Sequence, residues 1–498
     1  MLSYFLIVVG LLSTASCHSN HHHHAIALAR SVVAAASSAS SVSVASGQTP
    51  AAVANPTASL VGPSAPPLSG VNTATTSQLP DATLTATDPN IPPLSDLTSG
   101  LPSSVTPIFT FTAQLGAPGP FPGAPPLPTT TLDRSKYPSP TQNAPTDHPL
   151  MSEWLKELEG HQIPDIPPNT NNSECALNPE AARDASRCWW TCGGCTNPTD
   201  IVTCNDKDTW GLTFDDGPSP FTPTEENLNA TFFAIAGNIY WFNEIAVEAY
   251  LQGHQLALHT WHHQYMTTLT TEEVVAEIGF ARMMMKDVFG VTPSYWRPPY
   301  GDVDERVRAI ALAMGMQTII WTRNPSTLDQ FDTNDWRIPA GQVTGPQAFQ
   351  QFEAILTNAS VLNTGFIVLE HDLYPQTVDF AVGYTLPTAL ASTNPTFTLK
   401  PVIECLHLPM SEAYNETRTQ PLPQFVTSWH GEFINVAEIV TQSNSNLTTS
   451  SSGGDGDGSG SSSEGSSGSS SGSSPLSVSL SNVILAAVVS ILAVALKS

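Results

Sequence analysis

The chain has 498 residues, enough for about three domains on length alone, but only 12% of them are charged and 43 are proline, which confines folding to part of it. The formal charge of −26 excludes a nucleic-acid binder, because a phosphate backbone calls for Lys and Arg, and here 17 of these face 43 acidic residues. Neutral or cationic partners remain, and no protein partner is implied.

Residues 1–17, MLSYFLIVVGLLSTASC, join an apolar stretch to small residues and are expected to form a secretory signal cut near Ala15 or Cys17. Residues 18–150 are rich in Ser, Thr, Ala and Pro and are predicted to be a disordered, O-glycosylated stalk, since they offer too little apolar surface to offset chain entropy. The four histidines His21 to His24 are read as a solvated run.

Residues 151–204 form a Cys-containing extension of the folded part. Loss of Cys17 with the signal leaves Cys175, Cys188, Cys192, Cys195, Cys204 and Cys405. An even set in an oxidising compartment predicts three disulfides, whose pairing the sequence leaves open.

The catalytic domain is expected over residues 205–439, where strand-like runs recur at Trp210–Phe214, Ala230–Ala234, Gln255–His259, Gln317–Thr322 and Gly365–His371. A helix is predicted between Thr270 and Gly290. Thr270 and Glu273 make a capping box, Val274, Ile278, Ala281 and Met285 share a face, and Gly290 supplies the stop. Strands alternating with helices predict a mainly parallel sheet, either an open doubly wound one or a barrel, with the site at the carboxyl ends of the strands.

Polar residues cluster at those ends. Asp215 and Asp216 close the first run, and strand alternation points them to opposite sides, one toward a cation and one toward acid–base work. After the third run comes HTWHH, in which His259 and His263 can face one ion and His262 offers a rival spacing. Arg297 opens RPPY and can pair with a carboxylate. Then DTNDW supplies Asp332, Asp335 and Trp336, and FIVLEH ends on Glu370 and His371.

The tail divides into a Ser/Gly-rich linker, 440–474, and an end, 475–498, whose apolar run from Val483 to Leu496 is shorter than the ~20 residues of a spanning helix. Small residues at Ser471, Gly472, Ser473 and Ser474 are the expected attachment region of a GPI lipid anchor. Sequons at Asn171, Asn229, Asn358, Asn415 and Asn446 are candidate glycosylation sites.

Taken together, TFDDGP, HTWHH, RPPY, DTNDW and LEH resemble the motifs of the polysaccharide deacetylases, carbohydrate esterase family 4, and in particular the fungal GPI-anchored chitin deacetylases. The resemblance spans about Asp206 to Tyr374 and implies a distorted (β/α) barrel, flanked here by the disordered segments. It implies one divalent metal ion, Zn2+ or Co2+, on Asp216, His259 and His263. Asp215 is then the catalytic base, Arg297 its orienting partner, His371 the general acid and Asp332 the carboxylate that tunes it, with Asp335 as the alternative. The Tyr300 backbone N–H is implied as an oxyanion donor, and Trp336 and Leu369 as the acetyl pocket.

The implied reaction is removal of N-acetyl groups from chitin, giving chitosan and acetate, at the fungal wall and the outer leaflet of the plasma membrane. A deacetylase of another acetylated glycan, or a non-catalytic chitin-binding wall glycoprotein, are the alternatives. The segment TRNPSTLDQF before the fourth motif is longer than the family pattern leads one to expect.

Overall fold

The computed structural model describes residues 84–100, 111–223 and 228–425. The signal, most of the stalk, Asn446, the linker and the anchor region lie outside the described residues.

Five strands form a parallel sheet in chain order: β2 (Thr213–Asp215), β3 (Thr231–Ala234), β4 (Gln255–Leu258), β5 (Tyr295–Trp296) and β6 (Gln317–Thr318). Three more, β1 (Thr209–Gly211), β7 (Phe366–Ile367) and β8 (Thr398–Lys400), lie in the order β7-β1-β8. The two sheets share strands. Trp210 pairs with Phe366 and Asp215 with His371 at the same offset, so 209–215 and 366–371 run side by side as two continuous extended segments. On the far side Thr322 donates to the Ile367 carbonyl at 3.0 Å and Leu369 to Phe331 at 2.8 Å. The ring from β2 round to 366–371 thus closes on itself, which makes a distorted parallel β/α barrel.

Helices α1 (Met151–Lys156), α2 (Ala236–Leu251), α3 (Thr271–Phe289), α4 (Glu305–Ala313) and α5 (Gly345–Ala359) cover it. The predicted helix is α3. Both halves of its capping box are made at Thr270 and Glu273, and Gly290 adopts φ +76°, a conformation that favours glycine, to end it. Val274, Ile278, Ala281 and Met285 are buried as its periodicity requires, against α1 and α2. The very short β5 escapes sequence reading because its two residues carry no period.

The folded part begins earlier in the chain than its composition suggests. Leu94 and Leu97 are buried, Gly345 donates to the Leu97 carbonyl, and the Phe121 ring stacks on Tyr414 at 5.5 Å. Tyr137 donates to Asp287 at 2.9 Å and stacks on Trp261. Within 84–100 and 111–150 the apolar residues are sparse, but several of them are seated on the barrel, and an average over composition cannot reveal seating of that kind.

The six cysteines pair as Cys175–Cys192, Cys188–Cys195 and Cys204–Cys405. The last joins positions 201 residues apart, and restricting so long a loop in the unfolded chain stabilises the fold by about 3–5 kcal/mol. No helix among the described residues is long and apolar enough to cross a membrane.

Candidate active site

The carboxyl ends of β2, β4, β5 and the 366–371 segment meet at one end of the barrel. Alternation along β2 would send Asp215 and Asp216 to opposite sides, but Asp216 takes φ +82° and breaks the strand. Both carboxylates therefore approach one imidazole: His259 Nε2 lies 3.8 Å from Asp215 Oδ2 and 3.3 Å from Asp216 Oδ1. A left-handed non-glycine residue costs roughly 1–3 kcal/mol. Here it is held by the Asn238 amide, which donates to the Asp216 carbonyl at 2.8 Å, and by the Asp216 N–H on the Phe233 carbonyl.

The HTWHH loop is strained in the same way, with φ +66° at Thr260 and +58° at His263. Thr260 Oγ1 accepts from the His263 N–H, and Glu277 on α3 accepts from the Trp261 and His262 N–H groups at 3.0 and 2.8 Å. Burial pushes the Glu277 carboxyl up to about 7, against the backbone donors that hold it. An acid on the apolar face of α3 was the available signal for this support, and helix periodicity alone passes over it. His262 turns away and donates from Nδ1 to the Pro140 carbonyl at 3.1 Å, which leaves His259 and His263 as the pair.

Asp216, His259 and His263 offer ligand atoms all within 4.8 Å of one another, and all three are buried. The donor set suits a divalent ion. His259 Nδ1 donates to the Arg297 carbonyl at 2.8 Å, so its Nε2 faces Asp216. His263 Nε2 approaches the same Asp216 Oδ1 at 3.1 Å, and that oxygen is buried without a hydrogen-bond donor. Burial alone would raise the Asp216 carboxyl, but His263 foremost, with His259, outweighs it and holds it far below the carboxylate range. Burial drives His263 down despite Asp216, toward neutral imidazole. An anionic oxygen facing imidazole nitrogens is the arrangement a cation completes.

Asp215 is held from the other side. The Arg297 guanidinium donates from Nη1 to Asp215 Oδ1 at 2.7 Å and to Thr213 Oγ1 at 3.0 Å, and lies 4.1 Å from the Phe233 ring centre. Arg297 is 0% exposed, so the pair is screened from water.

His371 has a carboxylate partner, and it is Asp335 rather than the expected Asp332. Asp335 Oδ1 lies 2.8 Å from His371 Nδ1, and its Oδ2 accepts from the His371 N–H at 2.8 Å. The reason is local: Asp332 pairs with Leu369 through the backbone and accepts from the Asn334 N–H, whereas Asp335 begins a short turn (Asp335–Arg337) that swings its carboxylate onto the histidine. Burial would lower His371, but Asp335 foremost, with Asp216 and Asp215, carries it up to about 10.

A cavity of about 210 Å³ opens over these groups. Tyr300, Asp332, Trp336 and Leu369 line it, Tyr300 in a left-handed turn at φ +59°. Sequence reading missed Trp190, Tyr265 and Arg323, which line it too. Tyr265 stacks on Tyr300 at 3.8 Å between ring centres. The tryptophans of CWWTC were the visible sign that the disulfide extension reaches the site. Of the described sequons, Asn171 and Asn229 are exposed. Asn358 and Asn415 are half-buried, their side-chain carbonyls accepting from Asn324 and Ser294.

Comparison with known proteins gives a concordant result. Residues 203–319 match the family model described as polysaccharide deacetylase. Chitin deacetylase 1 of Cryptococcus neoformans var. grubii is 46% identical over 345 residues, covering 68% of this chain and 72% of that protein. The chitin deacetylase of Amylomyces rouxii is 34% identical over 265 residues, 49% of this chain and 61% of its own length. Among solved structures, the chitin deacetylase of Colletotrichum lindemuthianum matches at 24% identity and a TM-score of 0.39, over 44% of this chain and 97% of its own. With an identity that high extending well beyond the motifs, and the motif residues gathered at one end of a parallel barrel, this chain belongs to the polysaccharide deacetylase family.

Proposed function

We propose that the protein is a metal-dependent chitin deacetylase that hydrolyses the acetamide of N-acetylglucosamine units to give acetate and chitosan. The convergence of Asp216, His259 and His263 beside the Asp215–Arg297 pair carries this reading.

Asp216, His259 and His263 would hold the ion, Zn2+ or Co2+, which when bound supplies Lewis acidity and brings a water toward a pKa of ~7. Asp215 takes the proton of the attacking water, and Arg297 fixes the carboxylate that does so. The Tyr300 backbone N–H is assigned to the developing oxyanion. His371, protonated at neutral pH, gives its proton to the departing amine nitrogen, and Asp335 keeps it oriented and protonated. Leu369 and Trp336 offer the apolar surface for the acetyl methyl. Acetate release from chitin oligomers, with and without a chelator, tests the reading directly.

The proton inventory of His371 gives a pH prediction. A general acid works only while protonated, so the rate falls as pH rises through its pKa. Because Asp335 is what lifts that pKa, Asp335→Asn moves the alkaline limb of kcat to lower pH by about one to two units, and loss of the orienting hydrogen bond lowers the rate by about 10–100-fold at neutral pH, where the histidine stays protonated. A pH–rate profile that keeps its alkaline limb in Asp335→Asn would contradict the assignment.

We further infer extracellular placement on a GPI anchor. The three disulfides fit an oxidising compartment, and the small-residue region at 471–474 followed by an apolar end fits an anchor signal. Phosphatidylinositol-specific phospholipase C should release the enzyme from intact cells, and retention after treatment would exclude the anchor.

A further inference from the structure

Part of the cavity wall is built from segments that the reaction centre does not use. One is the disulfide extension, which contributes Trp190 and Thr191. The other is the return between Arg323 and Gln330, closed by their backbone pairing and by the Trp321 indole N–H on Gln330 at 2.9 Å. This return lies within the segment TRNPSTLDQF, whose length the sequence leaves without a purpose.

Arg323 lies in this wall as a cation without a counter-charge. Its guanidinium carbon sits 4.3 Å from the centre of the Trp190 ring, and Nη2 donates only a long 3.4 Å hydrogen bond to the Trp190 carbonyl. Its Nε is buried with no hydrogen-bond partner. Arg297 and Arg308 each hold a carboxylate, but among the described residues none pairs with Arg323, and burial pulls its pKa down to about 10 with no acidic neighbour to restore it. Arg337, the other guanidinium of the cavity, lies over Trp336 within electrostatic reach of Asp332. Gly194 leaves room for Arg323, since a Cβ at that position, φ +69°, would come within 2.9 Å of Nη1.

A guanidinium in the wall of a carbohydrate cleft, with only one long hydrogen bond of its own, needs acceptors. Neutral chitin offers them in the acetamide carbonyls of the sugars beside the reacting one. A sugar already deacetylated offers an ammonium there, which brings only donors and a like charge. We propose that Arg323, stacked on Trp190, is a neighbouring-sugar subsite that accepts an N-acetylated unit and rejects a glucosamine. This deepens the deacetylase reading and rests on it. Its consequence is a product in which acetyl groups are removed at intervals and contiguous deacetylated blocks are avoided.

The test uses the full, Zn2+-loaded chain and chitotetraoses that each carry one glucosamine at a defined position, compared with the fully acetylated tetramer. In the wild type, glucosamine at one position should lower kcat/KM by about tenfold, mainly through KM, and added salt should shrink that penalty. Arg323→Gln should reduce the penalty to within about twofold, whereas Arg323→Lys, which keeps the charge, should retain most of it. A purely structural role would lower the rates on every oligomer alike and leave their ratios unchanged. A wild-type penalty that persists in Arg323→Gln, that ignores salt, or that is absent at every position overturns the inference while leaving the deacetylase reading intact. Release of no acetate from any oligomer by the wild type overturns the deacetylase reading, and the subsite with it.

Discussion

Asp215→Asn should lower the rate of acetate release from chitin oligomers by about 10²–10⁴-fold, the range for removal of a positioned general base. The substitution is nearly isosteric and still offers Arg297 Nη1 an oxygen in place of the carboxylate it now meets at 2.7 Å. What disappears is the capacity to take a proton. The loss should therefore fall on kcat, with KM close to its original value. The guanidinium, 0% exposed and with Nη2 already lacking a partner, loses its counter-charge, so a lower melting temperature is also expected. Arg297→Met should reverse the balance of effects: it leaves Asp215 buried with its charge unpaired, and stability should suffer at least as much as turnover. Asp215→Asn that retains more than about a tenth of wild-type kcat would remove Asp215 from the role of base.

The motifs made the site legible because its chemistry is local. DDGP, HTWHH, RPPY and LEH each carry their residues at a strand end, and a β/α arrangement delivers strand ends to one face, so the gathering of Asp215, His259, Arg297 and His371 follows from chain order. The backbone strain was not legible. No periodicity announces φ +82° at Asp216, yet that turn is what brings two adjacent carboxylates to one imidazole. The same limit explains Asp332 and Asp335: both stand in DTNDW, and only the short turn beginning at Asp335 decides which carboxylate reaches His371. Trp190 and Arg323 were invisible for a different reason. They come from segments 133 positions apart that meet only in the folded chain.

Loss of the ion should have the largest effect of all. A chelator, or His259→Ala, is expected to reduce acetate release by roughly a thousandfold or more, because an acetamide carbonyl is a poor electrophile and water a poor nucleophile at neutral pH without a Lewis acid. Activity should return to the chelated wild type on addition of Zn2+ or Co2+, and should not return to His259→Ala. Stability supplies a second readout independent of turnover. Asp216 Oδ1, buried without a hydrogen-bond donor and facing imidazole nitrogens at 3.1 and 3.3 Å, is poorly compensated when no cation is present. Binding to the folded state alone raises the melting temperature by mass action, so Zn2+ should stabilise the wild type by an amount that grows with its free concentration, and His259→Ala far less. Acetate release that survives exhaustive chelation, together with a melting temperature indifferent to Zn2+, would show that Asp216, His259 and His263 serve the fold rather than a metal.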